Sequence, residues 1–171
     1  GRGVCLDLRT VADVESAFET ARSQARRGTV VVESFVTGRD YRCLIVGGRM
    51  QAIAERVPAH VVGDGVSSVG QLVELTNADP RRGVGHEKVL TKITVDDNAR
   101  ALLAAQDHSL DSVPAEGEVV KLALTGNMST GGSSIDRTFD AHPDNVEIAE
   151  EAARLVGLDV AGIDFICPDI T

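Results

Sequence analysis

Tyr41-Arg42-Cys43-Leu44-Ile45-Val46-Gly47-Gly48-Arg49-Met50-Gln51-Ala52-Ile53-Ala54-Glu55 decides the fold. Two largely apolar runs, 41–46 and 50–55, flank a Gly-Gly pair, the pattern of two strands joined by a tight hairpin turn. Upstream, Thr29-Val30-Val31-Val32-Glu33 is β-branched and continuous, so a buried strand is expected there. Further upstream, Thr10 is a good N-cap, and Val11, Val14, Phe18, Ala21 and Ala25 recur every three or four residues. That spacing predicts an amphipathic helix closed by Arg26, Arg27 and Gly28. Residues 4–8 alternate enough for a short strand.

Beyond Arg56 the texture changes. Gly63-Asp64-Gly65, a short helix over 69–76, Asp79-Pro80-Arg81-Arg82-Gly83, His86-Glu87 and a helix over 98–106 precede Val113-Pro114-Ala115. This reads as an insertion that leaves the main sheet, with 119–124 as the returning strand. Pro143 then opens a helix whose Ile148, Ala152 and Leu155 share a face, and Gly157 closes it. Residues 160–167 form the last strand. Strands and helices with glycine punctuation make the fold class α+β, with a mixed or antiparallel sheet, packed helices and an inserted subdomain.

Composition bounds the function. The 171 residues suit one ordinary domain. The chain is 43% hydrophobic but only 3% aromatic, so its core is built from aliphatic residues. A net charge of −9 argues against nucleic acid or an anionic membrane as partner, although local basic clusters can still grip small anions. Cys5, Cys43 and Cys167 are widely spaced and form no CxxC, which favours reduced thiols and a cytoplasmic setting. No apolar run reaches membrane-spanning length. The four histidines show no metal-ligand spacing, and no nucleophile-elbow pattern surrounds a serine.

Three constellations carry chemistry. In residues 30–42 an apolar run delivers Glu33, then backbone at Phe35 and Val36, then a turn and Asp40. A nucleotide needs such acceptors for an amino group and ribose hydroxyls, although a strand ending in charge is also simply a solvated edge. Asn127-Met128-Ser129-Thr130-Gly131-Gly132-Ser133-Ser134-Ile135-Asp136-Arg137-Thr138 holds five hydroxyls and two glycines. It cannot be a core strand, and it suits recognition of carboxylate or phosphate through hydroxyls and closely approaching N–H groups. Asp136 and Arg137 read equally as ligands or as a mutual brace. Asp164 follows the apolar Val160-Ala161-Gly162-Ile163, and a carboxylate there is costly unless it meets a cation.

The pattern Glu-x-x-x-x-Gly-x-Asp-Tyr-Arg before a Gly-Gly hairpin resembles the centre of an ATP-grasp ligase. Residues 56–65, 77–83, the Ser-Thr-Gly-Gly loop and Gly157-Leu158-Asp159-Val160-Ala161-Gly162-Ile163-Asp164 narrow the resemblance to the cyanophycin synthetase family, along the whole chain. Bifunctional glutathione-synthesising ligases share much of the pattern and are the alternative, together with a non-catalytic nucleotide- or polymer-binding relative that keeps the fold. The resemblance implies a partial ATP-grasp fold: a segment 1–56 with the end of a glycine-rich lid and the adenine hinge, an inserted subdomain 57–118, and a core 119–171.

It implies an ATP-dependent carboxylate–amine ligase that forms amide bonds through an acyl phosphate. In this family aspartate is added to the C-terminal carboxylate of the polyaspartate backbone of cyanophycin. The implied cofactors are ATP and Mg²⁺, and the implied partners are aspartate, the polyaspartate or cyanophycin primer, and further copies of the protein in a homo-oligomer. Glu33 and the backbone of Phe35 and Val36 are expected on adenine, Asp40 on ribose, and Asp164 on Mg²⁺. Arg42 is expected to hold an acceptor carboxylate or phosphate through its donor fork, the alternative being an ion pair with a neighbouring acid. Ser129, Thr130, Gly131 and Gly132 are expected to form the carboxylate-binding loop.

In the family, phosphate-binding lysines precede Gly1-Arg2-Gly3 and the remaining Mg²⁺ ligands follow Thr171. The chain is therefore expected to be a fragment that is inactive alone.

Overall fold

The computed structural model describes residues 4–5, 8–25, 28–85 and 87–171. Expectations for Gly1-Arg2-Gly3, Arg26, Arg27 and His86 lie outside these residues, as does part of the strand expected over 4–8. The chain divides into two compact units, Gly1–Thr37 and Gly38–Thr171.

The first unit holds α1 (Val11–Gln24). Thr10 and Asp13 cap it reciprocally: Thr10 Oγ1 accepts from the Asp13 N–H at 3.1 Å, and Asp13 Oδ2 accepts from the Thr10 N–H at 2.9 Å. Such a cap contributes about 1 kcal/mol. The stripe expected to be buried is not: Ala17 is buried, whereas Val11, Val14 and Phe18 are exposed. Residues 29–33 also depart from expectation. They form no strand, and Val31 and Val32 are 74% and 73% exposed. A β-branched run becomes a strand only when another strand meets its N–H and C=O groups, and among the described residues none does.

In the second unit, β1 (Arg39–Val46) and β2 (Arg49–Val57) make the expected hairpin. Gly47 and Gly48 both take positive φ, at 58° and 71°, as the tight turn requires. β7 (Ser133–Asp136) and β8 (Val160–Cys167) complete an antiparallel sheet in the order β7-β2-β1-β8. Strand alternation gives the sheet two unlike faces. Tyr41, Cys43, Ile45, Ile53 and Ala161 are buried together with Ala149 and Ala153 of α4 (Pro143–Val156) and with Ile170. The opposite face carries Asp40, Arg42, Arg56 and Asp164.

α4 starts and stops as expected but buries a different stripe. Ile148 and Leu155 are exposed, and the small Ala149 and Ala153, one turn apart, meet the sheet.

The remaining elements surround a second core of Ala59, Val61, Val69, Leu72, Val73, Ile93, Leu103, Val120 and Leu122. They are β3 (His60–Val62), α2 (Val69–Asn77), β4 (Arg82–Gly83), β5 (Leu90–Thr91), α3 (Asp97–Ala104) and β6 (Val119–Lys121). α2 begins at a Ser68–Gln71 capping box and buries Val69, Leu72 and Val73 at helical spacing. β6 pairs with β3, so the strand expected to return to the main sheet stays with this second lobe. Gln106, expected in α3, lies beyond it. Its amide donates to the Lys121 carbonyl at 2.9 Å and accepts from the Lys121 N–H at 3.0 Å, satisfying the free edge of β6.

Candidate functional site

The sheet face opposite α4 presents a chain of alternating charges. Arg42 and Asp164 are register partners across β1 and β8, and Asp40 and Arg56 are partners across β1 and β2. Arg42 donates from Nε to Asp164 Oδ1 at 2.5 Å and from Nη2 to Oδ2 at 3.2 Å. Arg56 donates from Nε and Nη2 to Asp40 Oδ1 at 3.0 and 2.7 Å, and its Nη2 also lies 3.2 Å from Asp164 Oδ1. Two guanidinium forks thus converge on Asp164, which remains 51% exposed. Among the described residues, the cations that offset its charge are Arg42 and Arg56.

Two glycines shape this face. A Cβ at Gly162 would lie 2.7 Å from Arg42 Nη1 and 3.1 Å from its Cδ, so the bare backbone of β8 lets the arginine lie across the strand. A Cβ at Gly126 would lie 2.7 Å from the Arg56 carbonyl oxygen, so the chain entering the hydroxyl-rich loop passes against β2.

That loop leaves β2's neighbourhood and returns to it. Residues 128–130 form a single 3₁₀ turn and residues 133–136 the edge strand β7, with Ser133 opposite Val57 and Ser134 opposite Arg56. Its glycines serve packing. Gly131 and Gly132 are buried, and the N–H groups of Thr130, Gly131 and Gly132 all bond within the loop, to Asn127 and Met128 carbonyls. The Thr130 hydroxyl donates to the Asn127 carbonyl at 3.0 Å. Ser129 and Thr130 are exposed, as is their neighbour Met128.

A cavity of about 290 Å³ lies beside the loop, lined by Pro58, His60, Val61, Thr76, Arg82, Gly131 and Ser133 among others. Asp136 and Arg137 do not brace one another. Thr138 donates to Asp136 from its hydroxyl and N–H, which lowers the Asp136 pKa. Arg137 reaches through the edge to the nearly buried Glu55 at 2.8 Å and to Asp140 at 3.0 Å. Glu33, Phe35 and Val36 belong to the first unit and are exposed.

Arg56 was not singled out from the sequence, and it sits at the centre of the charge chain. Its signal was pairing with Asp40, concealed by a register shift in the hairpin between Leu44 and Ile45.

Chemically, two planar donor forks on an open face suit carboxylate or phosphate oxygens. One half-exposed carboxylate fits a magnesium ion that takes its other ligands from phosphates and water. Among the described residues no group of three or more His, Cys, Asp or Glu could hold a metal by itself. None of the helices among the described residues is long and apolar enough to cross a membrane, and the three cysteines are free.

No family model matches the chain. It is 47% identical over all 171 residues to a cyanophycin synthetase from Crocosphaera subtropica, of which it covers 20%. It is 38% identical over 159 residues, 93% of this chain and 20% of the relative, to the glutathione biosynthesis bifunctional protein GshAB of Listeria innocua. Among solved structures it matches the bifunctional glutathione synthetase of Pasteurella multocida with a TM-score of 0.71 and 38% identity, covering 80% of this chain and 18% of that one. The chain thus spans about a fifth of the length of the curated relatives it matches.

Proposed function

Because the fold is that of part of an ATP-grasp ligase and the whole chain is similar to cyanophycin synthetases, we propose that it serves amide-bond formation on a polyaspartate backbone. In this reading the C-terminal carboxylate of a cyanophycin primer takes the γ-phosphoryl group of ATP. The amine of aspartate then displaces phosphate, leaving the new amide, ADP and inorganic phosphate. The convergence of Arg42 and Arg56 on the half-exposed Asp164 carries this reading, with Ser134 of the hydroxyl-rich segment opposite Arg56 in the sheet register.

Asp164 would hold magnesium, which when bound neutralises phosphate charge. Arg42, relieved of Asp164, would receive the acceptor carboxylate, with the Ser129 and Thr130 hydroxyls as further donors and Gly131 and Gly132 shaping their turn. Asp40, steered by Arg56, would accept from ribose hydroxyls. Glu33 and the backbone of Phe35 and Val36 would take adenine. Residues 57–118 would act as an inserted subdomain between two ATP-grasp segments, in a cytoplasmic homo-oligomeric enzyme.

The likeness to glutathione-synthesising proteins favours one other reading, in which the acceptor is a small peptide carboxylate. An amino-acid panel with ATP on the intact enzyme, followed by mass analysis, separates the two. A product one aspartate longer than a cyanophycin primer supports the first. Incorporation of another amino acid, or extension only of a small peptide, overturns it.

A further inference from the structure

Arg81 and Arg82 are neighbours in sequence with different surroundings. Arg81 turns outward, 71% exposed, and is held by the Asp79 carboxylate. Arg82 turns inward beside the 290 Å³ cavity. Its Nη1 donates to the Thr91 carbonyl at 2.7 Å and to the Gly131 carbonyl at 2.9 Å. Neither acceptor is charged. Burial lowers the Arg82 pKa, yet the group stays cationic because arginine starts so high. A half-buried guanidinium used to hold two carbonyls does positional work, since a surface ion pair would need no such desolvation.

Gly131, the residue it holds, is fixed from the other side as well. Its φ is +91°, and a Cβ there would lie 2.7 Å from the Ile93 Cα. Ile93 is itself clamped, donating to Asn77 Oδ1 at 2.7 Å and accepting from Asn77 Nδ2 at 2.9 Å. The second lobe therefore contributes a floor, Ile93 on Asn77, and a tether, Arg82, to the residue directly after Ser129 and Thr130.

We propose that Arg82 is a positioning residue that orients Ser129 and Thr130 toward the acceptor carboxylate by holding the Gly131 carbonyl, so that the second lobe sets acceptor affinity without touching the acceptor. This rests on the reading of the Ser-Thr-Gly-Gly loop as the acceptor site.

The test uses the intact enzyme with ATP, aspartate and a cyanophycin primer, and compares Arg82→Met, Arg82→Lys and Ser129→Ala. Arg82→Met keeps the length and loses the donors. It is expected to raise the primer KM by about tenfold with the ATP KM changed by less than about twofold, and Arg82→Lys, which keeps an ammonium donor, to recover only part of that loss and leave a rise of about threefold. A primer KM within about twofold of wild type in Arg82→Met overturns the proposal, as does an equal rise in both KM values. Should Arg82→Met fail to fold, Arg82→Lys alone decides: a rise of about threefold confined to the primer KM supports the tether, and no rise or a shared rise refutes it. Ser129→Ala separates the two levels. An unchanged primer KM in that variant defeats the loop reading itself; a raised one beside a silent Arg82→Met defeats only the role of Arg82.

Discussion

Arg42 and Asp164 lie opposite each other across β1 and β8 and meet through two hydrogen bonds on the uncovered face of the sheet. Their side chains are 46% and 51% exposed, so the pair contributes little to stability, on the order of 0–1 kcal/mol. In the proposed reading its weight lies in function. Asp164→Asn in the intact enzyme is expected to move the melting temperature by no more than a few degrees while abolishing aspartate- and primer-dependent phosphate release. Retained phosphate release would remove Asp164 from the site.

Gly162 gives a separate way to reach the same arginine. Alanine there places a methyl group on the guanidinium, the far end of a flexible side chain, so the fold can yield while Arg42 is displaced. Gly162→Ala is expected to keep or slightly raise stability, as replacing a strand glycine by about 0.5–1 kcal/mol would suggest, and to weaken primer use by at least about tenfold. Unchanged kinetics with primer would show that Arg42 need not lie across β8.

At Gly131 the outcome reverses. The added Cβ meets the Ile93 backbone, which cannot swing aside, and φ is +91°. Gly131→Ala should destabilise the chain by at least about 2 kcal/mol, from left-handed strain plus overpacking. Urea unfolding of the 171-residue chain measures this, and an unshifted midpoint would contradict the close approach.

Cys43 is fully buried, and burial raises its thiol from 9.0 to about 11, with the charges at Cys167 and Asp164 acting in the same sense. Folding therefore disfavours the thiolate. The associated stability is complete below the ordinary thiol pKa and is lost as pH rises through about 11. Between pH 9 and 11 the wild-type urea midpoint should fall more steeply than that of Cys43→Ala. Equal slopes would mean that Cys43 does not couple to folding.

Much of the second unit was legible in sequence order because its signals are local. Gly47-Gly48 fixed the hairpin, Pro143 and Gly157 bounded α4, and the apolar run from Val160 marked β8. Long-range choices were not legible. Counting outward from the turn pairs Val46 with Arg49 and Ile45 with Met50, but the shift next to Leu44 then brings Arg56, rather than Glu55, opposite Asp40. One extra residue thus decides which charge joins the site. On α4 the hydrophobic stripe pointed to Ile148 and Leu155, whereas close approach to the sheet selected alanines. The loop's glycines suggested a cradle of N–H groups, and tertiary contacts with Ile93 and Val57 gave them packing roles instead. The valines over 30–32 promised a buried strand, which no sequence-local signal can secure without a partner.

The most direct measurement of the central claim is a structure of the intact enzyme with magnesium, a non-hydrolysable ATP analogue and a short primer. The expected result places the Asp164 carboxylate on the metal and turns Arg42 from Asp164 to the primer's terminal carboxylate, with Ser129 beside it. A nucleotide and primer bound elsewhere, with the Arg42–Asp164 pair still closed, would contradict the account.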